Sequence, residues 1–204
     1  MLDEPCLLFP MPPTIDSPAL VDLLRRAYSG ERAAAFAYIG HAGSLRRRET
    51  ERVAVRQIEE DEWEHRRQVK QLMDFYSIDP SRWYELKFYH IGKVVGFSCY
   101  LIGRFMPYFF AGKLESGNVC EYFLMMHRFH ELGITAHDEI LHEMGVKEKE
   151  HEVFFQKMIE NEPWLPLFER IFHWGPDAST NDVDLDSLKP VPESQNYCKT
   201  RREK

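Results

Sequence analysis

The chain has 204 residues and a net charge of −7 with histidine neutral, enough for one ordinary domain with a sizeable core plus tails. Both signs of charge are interspersed, which argues against a nucleic-acid protein, although Arg46-Arg47-Arg48 forms a local basic patch. The four cysteines, Cys6, Cys99, Cys120 and Cys198, contain no Cys-x-x-Cys spacing, so no zinc or rubredoxin-type iron site can be read from them.

Residues 1–15 are punctuated by proline and are expected to be extended, without the basic leader of a secretory signal. Asp16-Ser17-Pro18 then opens a helix that runs to about Ser44, with a capping side chain before a first-turn proline. A second helix is predicted from about Arg48 to Tyr76, stopped by Ser77-Ile78-Asp79-Pro80-Ser81. Residues 81–112 are rich in aromatics and glycine and read as one or two crossover helices between the halves of a bundle. Further helices are expected from about Leu114 to Leu132 and His137 to Glu160, separated at Gly133, with a short amphipathic one from Trp164 to Phe172. Residues 16–175 thus form the predicted domain, and the polar stretch 176–204 is expected to be a flexible tail. No strand pattern occurs, so the fold class is all-α: a four-helix bundle with a long helical crossover.

Two strings inside this pattern carry chemistry: Glu62-Trp63-Glu64-His65 and Glu148-Lys149-Glu150-His151. Residues three apart on a helix share a face, so each Glu-x-x-His aims a carboxylate and an imidazole the same way. Spacing alone is weak, because 22 glutamates and nine histidines yield about one match by chance, and Glu139-Ile140-Leu141-His142 is a third. Phase separates them. The first motif lies on the stripe Val55, Ile58, Glu62, His65, Val69, Leu72, and the second on Leu141, Met144, Glu148, His151, Phe155, Met158. Glu139 falls about 180° from Glu148, on the opposite face.

Buried ionised glutamates need a shared positive partner. The flanking Arg66, Arg67, Lys147 and Lys149 point elsewhere on the helical wheel, which leaves metal cations. Two more carboxylates are required. Glu31 sits on the stripe Leu24, Ala27, Glu31, Ala34, Tyr38, 31 residues before Glu62. In the fourth segment Glu121 sits on Leu114, Gly117, Glu121, Leu124, Arg128, 27 residues before Glu148; its rival is Glu115, 33 residues before Glu148. Four glutamates and two histidines balance two divalent ions, and oxygen with imidazole suits iron or manganese. Asp61 and Glu143 neighbour the motifs but lie off the ligand stripe.

With these residues the chain resembles the ferritin-like di-iron carboxylate superfamily, and within it the demethoxyubiquinone hydroxylases. The likeness covers roughly residues 29–155. It rests on Ser29-Gly30-Glu31 with Ala33 and Tyr38, on Asp79-Pro80-Ser81 with Gly92, Gly96 and Gly103, on Cys120-Glu121 with His127, and on the two Glu-x-x-His motifs. The stretch Arg104 to Phe110 departs from that family's small-residue crossover ending. The resemblance implies a monooxygenase with two irons, inserting one atom of dioxygen into a hydrophobic aromatic or quinone-like substrate and taking two electrons from an external donor. Tyr38 and His127, facing the site beside Glu31 and Glu121, are then candidates for proton donation or gating. The alternative is a rubrerythrin-like or ferritin-like protein that oxidises iron or reduces peroxide without an organic substrate. A third reading is an interaction bundle without metal.

The near-uncharged segment 91–112 is interrupted by Arg104 and Pro107, which points to a buried crossover or a peripheral membrane contact rather than a span. The expected setting is cytoplasmic, with or without peripheral contact at the inner face of a membrane. Aromatics from Trp83 to Tyr108 offer a surface for that contact or for a homodimer, and no nucleic-acid partner is expected.

Overall fold

The computed structural model describes residues 13–175, so the expected tail at 176–204 and most of the extended segment at 1–15 lie outside the described residues. Six helices make up this region: α1 (Pro18–Ser44), α2 (Glu49–Phe75), α3 (Arg82–Ser98), α4 (Phe105–His130), α5 (Asp138–Ile159) and α6 (Leu165–Phe172). The chain is all-helical as its periodicity predicts, with no strand among the described residues. Ser17 caps α1 by accepting from the Leu20 N–H at 3.3 Å, with Pro18 in the first turn where its missing donor costs nothing.

Short connections make α1–α2 and α4–α5 two helical hairpins, and contacts of α1 with α4 and of α2 with α5 close them into the four-helix bundle. The crossover helix α3 lies outside the bundle against α1. Its first turns are pinned by Glu85, which accepts from Arg66 Nη2 at 2.8 Å, Arg32 Nη1 at 3.0 Å and Ser29 Oγ at 2.8 Å. Further along, the two backbones nearly touch. A Cβ added at Gly40 would fall on the carbonyl of Gly96, so glycine is what permits this approach.

The crossover ends earlier than its composition predicts. Gly103 adopts φ +76°, a left-handed conformation that suits glycine, and α4 starts at Phe105 rather than near Leu114. Pro107 is compatible with this start because it sits in the first turn. Tyr108, expected on the exposed aromatic surface, is buried and donates to Glu51 at 2.6 Å. Trp83, Phe97 and Tyr100 are exposed as expected. The helix α6 folds back on α4 through Phe168 against Phe105 and Phe109, and the buried Trp174 indole donates to Glu152 at 2.8 Å.

No helix among the described residues is long and apolar enough to cross a membrane.

Candidate metal centre

Four helices each turn one buried carboxylate toward the same point of the bundle core: Glu31 from α1, Glu62 from α2, Glu115 from α4 and Glu148 from α5. His65 and His151, one turn beyond Glu62 and Glu148, complete the cluster and are also buried. The ligand atoms fall into two overlapping sets, Glu31, Glu62, His65 and Glu148, and Glu62, Glu115, Glu148 and His151, each with its atoms within 4.8 Å of one another. Glu62 and Glu148 belong to both sets and are therefore placed to bridge. Both motifs arrive here because each helix buries the stripe that contains them; Val55, Ile58, Val69 and Leu72 are buried around the first, and Leu141, Met144 and Phe155 around the second. The third motif is absent from the cluster, with Glu139 exposed as its phase predicts.

The fourth carboxylate is Glu115, not Glu121. The inward stripe of α4 runs Tyr108, Ala111, Glu115, Val119, Tyr122, Met126, Phe129, all buried, while Leu114 is 48% exposed. Glu121 is partly exposed at the helix flank and pairs with Arg26 at 3.6 Å; burial pushes its carboxyl up to about 6. Asn118 Nδ2 donates to Glu115 Oε2 at 2.9 Å and orients it. A heptad of aromatic and acidic residues, Tyr108, Glu115, Tyr122 and Phe129, was the available signal. It is obscured because α4 is apolar on a second face as well.

His127 does not face the cluster either. It stands at the surface near Glu131, at 3.5 Å, one turn further along α4. Tyr38 is buried but lies two turns from Glu31, stacked on Phe155 at 5.7 Å. The tyrosine that does touch a cluster carboxylate is Tyr122, whose hydroxyl donates to Glu31 Oε1. Asp61, off the ligand stripe of its own helix, accepts from His151 Nε2 across the bundle at 3.0 Å. That bond turns His151 Nδ1 toward the carboxylates, as the outer partner of a ligating histidine does. Glu143 is exposed. Lys149 is buried, but its ammonium is taken by Glu152 at 2.9 Å and, pointing away as its place on the wheel predicts, does not neutralise the cluster.

The donor set fits divalent metal. Glu31 Oε2, both carboxylate oxygens of Glu62, Glu115 Oε1 and His151 Nδ1 are buried without a hydrogen-bond partner, and all belong to the cluster. Such atoms cost about 1–3 kcal/mol each when unsatisfied in a protein core. In the protein alone, protons carry part of the compensation. Burial, then repulsion from Glu148, raises the affinity of Glu31, Glu62 and Glu115 for protons. Burial acts the same way on Glu148, but bonds from His151 and His65 outweigh it and keep this carboxylate ionised. His65 Nδ1 lies 2.8 Å from Glu148 Oε1. Burial opposes charging of His151, yet Asp61 and Glu148 lift it to about 9. Oxygen and imidazole donors in this number match iron or manganese.

Beside the cluster, between α1, α3 and α4, an apolar cavity of about 340 Å³ reaches Glu31, with Ala34, Phe88, Ile91, Val95 and Phe110 among its walls. Asn118, Glu121 and Tyr122 add polar atoms at its edge.

Residues 18–117 match the family model described as the ubiquinone biosynthesis protein COQ7. Over that span, just under half of the chain, the sequence is similar to the COQ7 family. The matched residues include Glu31, Glu62, His65 and Glu115, stop short of Glu121, and take in the whole crossover helix. Glu148 and His151 lie beyond the match, and it is the packing of α5 on α4 that brings them to the family's part of the chain. No curated protein and no solved structure matches the chain.

Another buried histidine, His41, gives stability a pH dependence. Burial holds its imidazole down at about 4, against an opposing pull from Glu51 and with help from Arg104. Above about pH 6.5 His41 is neutral in both folded and unfolded chains, so its contribution is intact. As pH falls toward 4 the unfolded chain binds the proton first and stability drops. Between pH 7.5 and 5 this loss is on the order of 2 kcal/mol. Denaturant melts of wild type and His41→Phe at the two pH values should differ by that amount; equal pH slopes would show His41 already satisfied.

Proposed function

We propose that the chain is a di-iron hydroxylase acting on a neutral quinone-like ring. Glu31, Glu62, His65, Glu115, Glu148 and His151 would hold two irons, with Glu62 and Glu148 shared between them. Bound iron would supply dioxygen activation, one oxygen atom going to the substrate and the other to water, with two electrons from an external donor. The family's printed role in ubiquinone biosynthesis supports a quinone-class substrate. The observation that carries the reading is the apolar cavity of about 340 Å³ that reaches Glu31. It is large enough for a substituted ring, and ligand sites of this kind combine apolar walls with a few polar atoms.

Within that arrangement the chain's own residues have separable tasks. Phe88, Ile91, Val95 and Phe110 offer the apolar walls against which the ring would pack, while Tyr122 fixes Glu31 through its hydroxyl bond. Asp61 orients His151 and Asn118 orients Glu115. Glu121, with its proton affinity raised to about 6 and its place on the cavity wall, can exchange a proton with solvent near neutral pH. Exposed apolar residues of α3, with Trp83, Val94 and Phe97 each exposed by more than half, support peripheral contact with a bilayer in which such substrates dissolve.

The test is turnover of the iron-loaded, reduced protein with a short-tailed demethoxyquinone under ¹⁸O₂. The expected product is one oxygen heavier and carries the label. Iron oxidation or peroxide consumption with no hydroxylated quinone would replace this reading by the ferritin-like one.

A further inference from the structure

The basic run Arg46-Arg47-Arg48 has no part in the metal cluster or in the cavity beside it, yet the fold gives it a definite place. It forms the turn between α1 and α2, which lies beside the turn between α3 and α4 at one tip of the bundle. Between the two turns is an open cleft of about 520 Å³, lined by Arg46, Arg47, Arg48 and Arg104 together with Ser44 and Tyr100. No carboxylate lines it. Four arginines thus converge on one cleft in a chain whose net charge is −7.

Two of the four are already engaged. Arg48 pairs with Glu51 at 3.0 Å, and Arg104 pairs with Glu51 at 3.1 Å and with Glu162 at 2.7 Å. Arg46 and Arg47 are exposed, and neither guanidinium has a partner among the described residues. Four arginines against the two carboxylates Glu51 and Glu162 leave an excess of two positive charges. A guanidinium stays charged at physiological pH, and its fork matches two oxygens of a phosphate. A Cβ added at Gly43 would fall on the Tyr100 hydroxyl, so glycine lets that further donor sit at the edge of the cleft.

The surface next to the arginines is apolar. Leu101 is 70% exposed and Phe97 66%, and Ile102 is exposed beside them. A second apolar cavity, of about 210 Å³, continues from the one beside Glu31 along Val95, Phe110 and Leu114 and ends at Cys99 and Ile102, behind this surface. A soluble phosphate or a nucleic acid would satisfy the arginines but leave Phe97 and Leu101 in water. A bilayer satisfies both, because its anionic phosphates lie directly above its hydrocarbon. We propose that the arginine cleft holds the phosphate of an anionic phospholipid, with Phe97 and Leu101 dipping into the bilayer beside it. The proposal rests on the peripheral membrane contact argued above and gives that contact an orientation: the α3–α4 turn faces the lipid, and the apolar cavities end next to it.

The test is flotation of the full chain with vesicles of phosphatidylcholine, alone or mixed with phosphatidylglycerol, read as a partition coefficient. At low salt phosphatidylglycerol should strengthen binding by about tenfold or more, and added salt should erase the gain. Arg46→Gln and Arg47→Gln should each weaken binding to the mixed vesicles by about fivefold, and to phosphatidylcholine by less than about twofold. Arg56→Gln removes an exposed arginine further along α2 and should change neither by more than about twofold. Leu101→Ser should weaken binding to both vesicles alike. All four side chains are exposed, so the variants keep the fold. Binding indifferent to phosphatidylglycerol, or weakened as much by Arg56→Gln as by Arg46→Gln, would overturn the cleft and leave the bilayer contact standing. No binding to either vesicle would remove the bilayer contact and the lipid phosphate with it. Release from mixed vesicles by inorganic phosphate, but not by chloride at equal ionic strength, would overturn the lipid in favour of a soluble phosphate. None of these readings depends on iron or on turnover.

Discussion

Glu115→Ala should reduce bound iron from about two per chain to one or fewer and lower hydroxylation by at least roughly 100-fold, while Glu121→Ala keeps both metals. Both residues are glutamates on α4, six positions apart, so the pair separates position from chemistry. Glu115 is fully buried, with one oxygen held by Asn118 and the other unpartnered in the cluster. Removing it would take a donor from the set that also contains His151. Glu121 sits on the cavity wall with Arg26, so its loss should raise KM for the quinone without changing metal content. Elemental analysis of the two purified variants checks the first half, and steady-state kinetics the second. Iron lost from the Glu121 variant but retained in the Glu115 variant would mean that α4 turns a different face to the core.

Glu62→Met should have opposite effects on stability depending on whether metal is present. Glu62 is fully buried with both carboxylate oxygens unpartnered, and burial together with Glu148 and Glu31 makes it hard to ionise. Without metal, an apolar side chain of similar volume relieves that cost, and the variant should be more stable than wild type by about 1–3 kcal/mol. With metal the order reverses. A cation that binds only the folded chain adds about 4 kcal/mol at a thousandfold excess over its Kd, and the variant forfeits most of this by losing a residue common to both ligand sets. Thermal melts of both proteins with a chelator and with saturating Fe(II) under anaerobic conditions give the four values needed. A variant less stable than wild type in chelator would mark the cluster as a self-satisfied polar core and remove the case for metal.

These expectations rest on parts of the site that were legible to different degrees. Glu62 and His65 could be placed because they alone interrupt the buried apolar stripe of α2, and Glu148 and His151 because they continue the stripe of Leu141, Met144 and Phe155 on α5. Glu31 could be placed because the stripe of small and apolar residues around it leaves it the lone charge. On α4 the same reasoning met a helix with two apolar faces, one in the core and one over the cavities beneath α3. Periodicity then supports two phases, and Leu114 and Leu124 favoured the wrong one. His127 followed from that phase and moved to the surface with it. Asp61, beside the first motif but off its stripe, could be given no role for a different reason. It reaches His151 across the bundle, and a helical wheel describes only one helix at a time.

Helix period and burial are local properties of a chain, so spacing alone was enough for the helical class, the antiparallel hairpin containing the first motif, and five of the six cluster residues. Tertiary packing decided the rest. The left-handed turn at Gly103 sets where α4 begins, and the packing of α4 selects Glu115. The close approach of Gly40 and Gly96 seats α3 on α1 and encloses the two cavities. Those outcomes depend on which of several apolar surfaces meet, and that choice is settled by shape complementarity among whole helices rather than by spacing within any one of them.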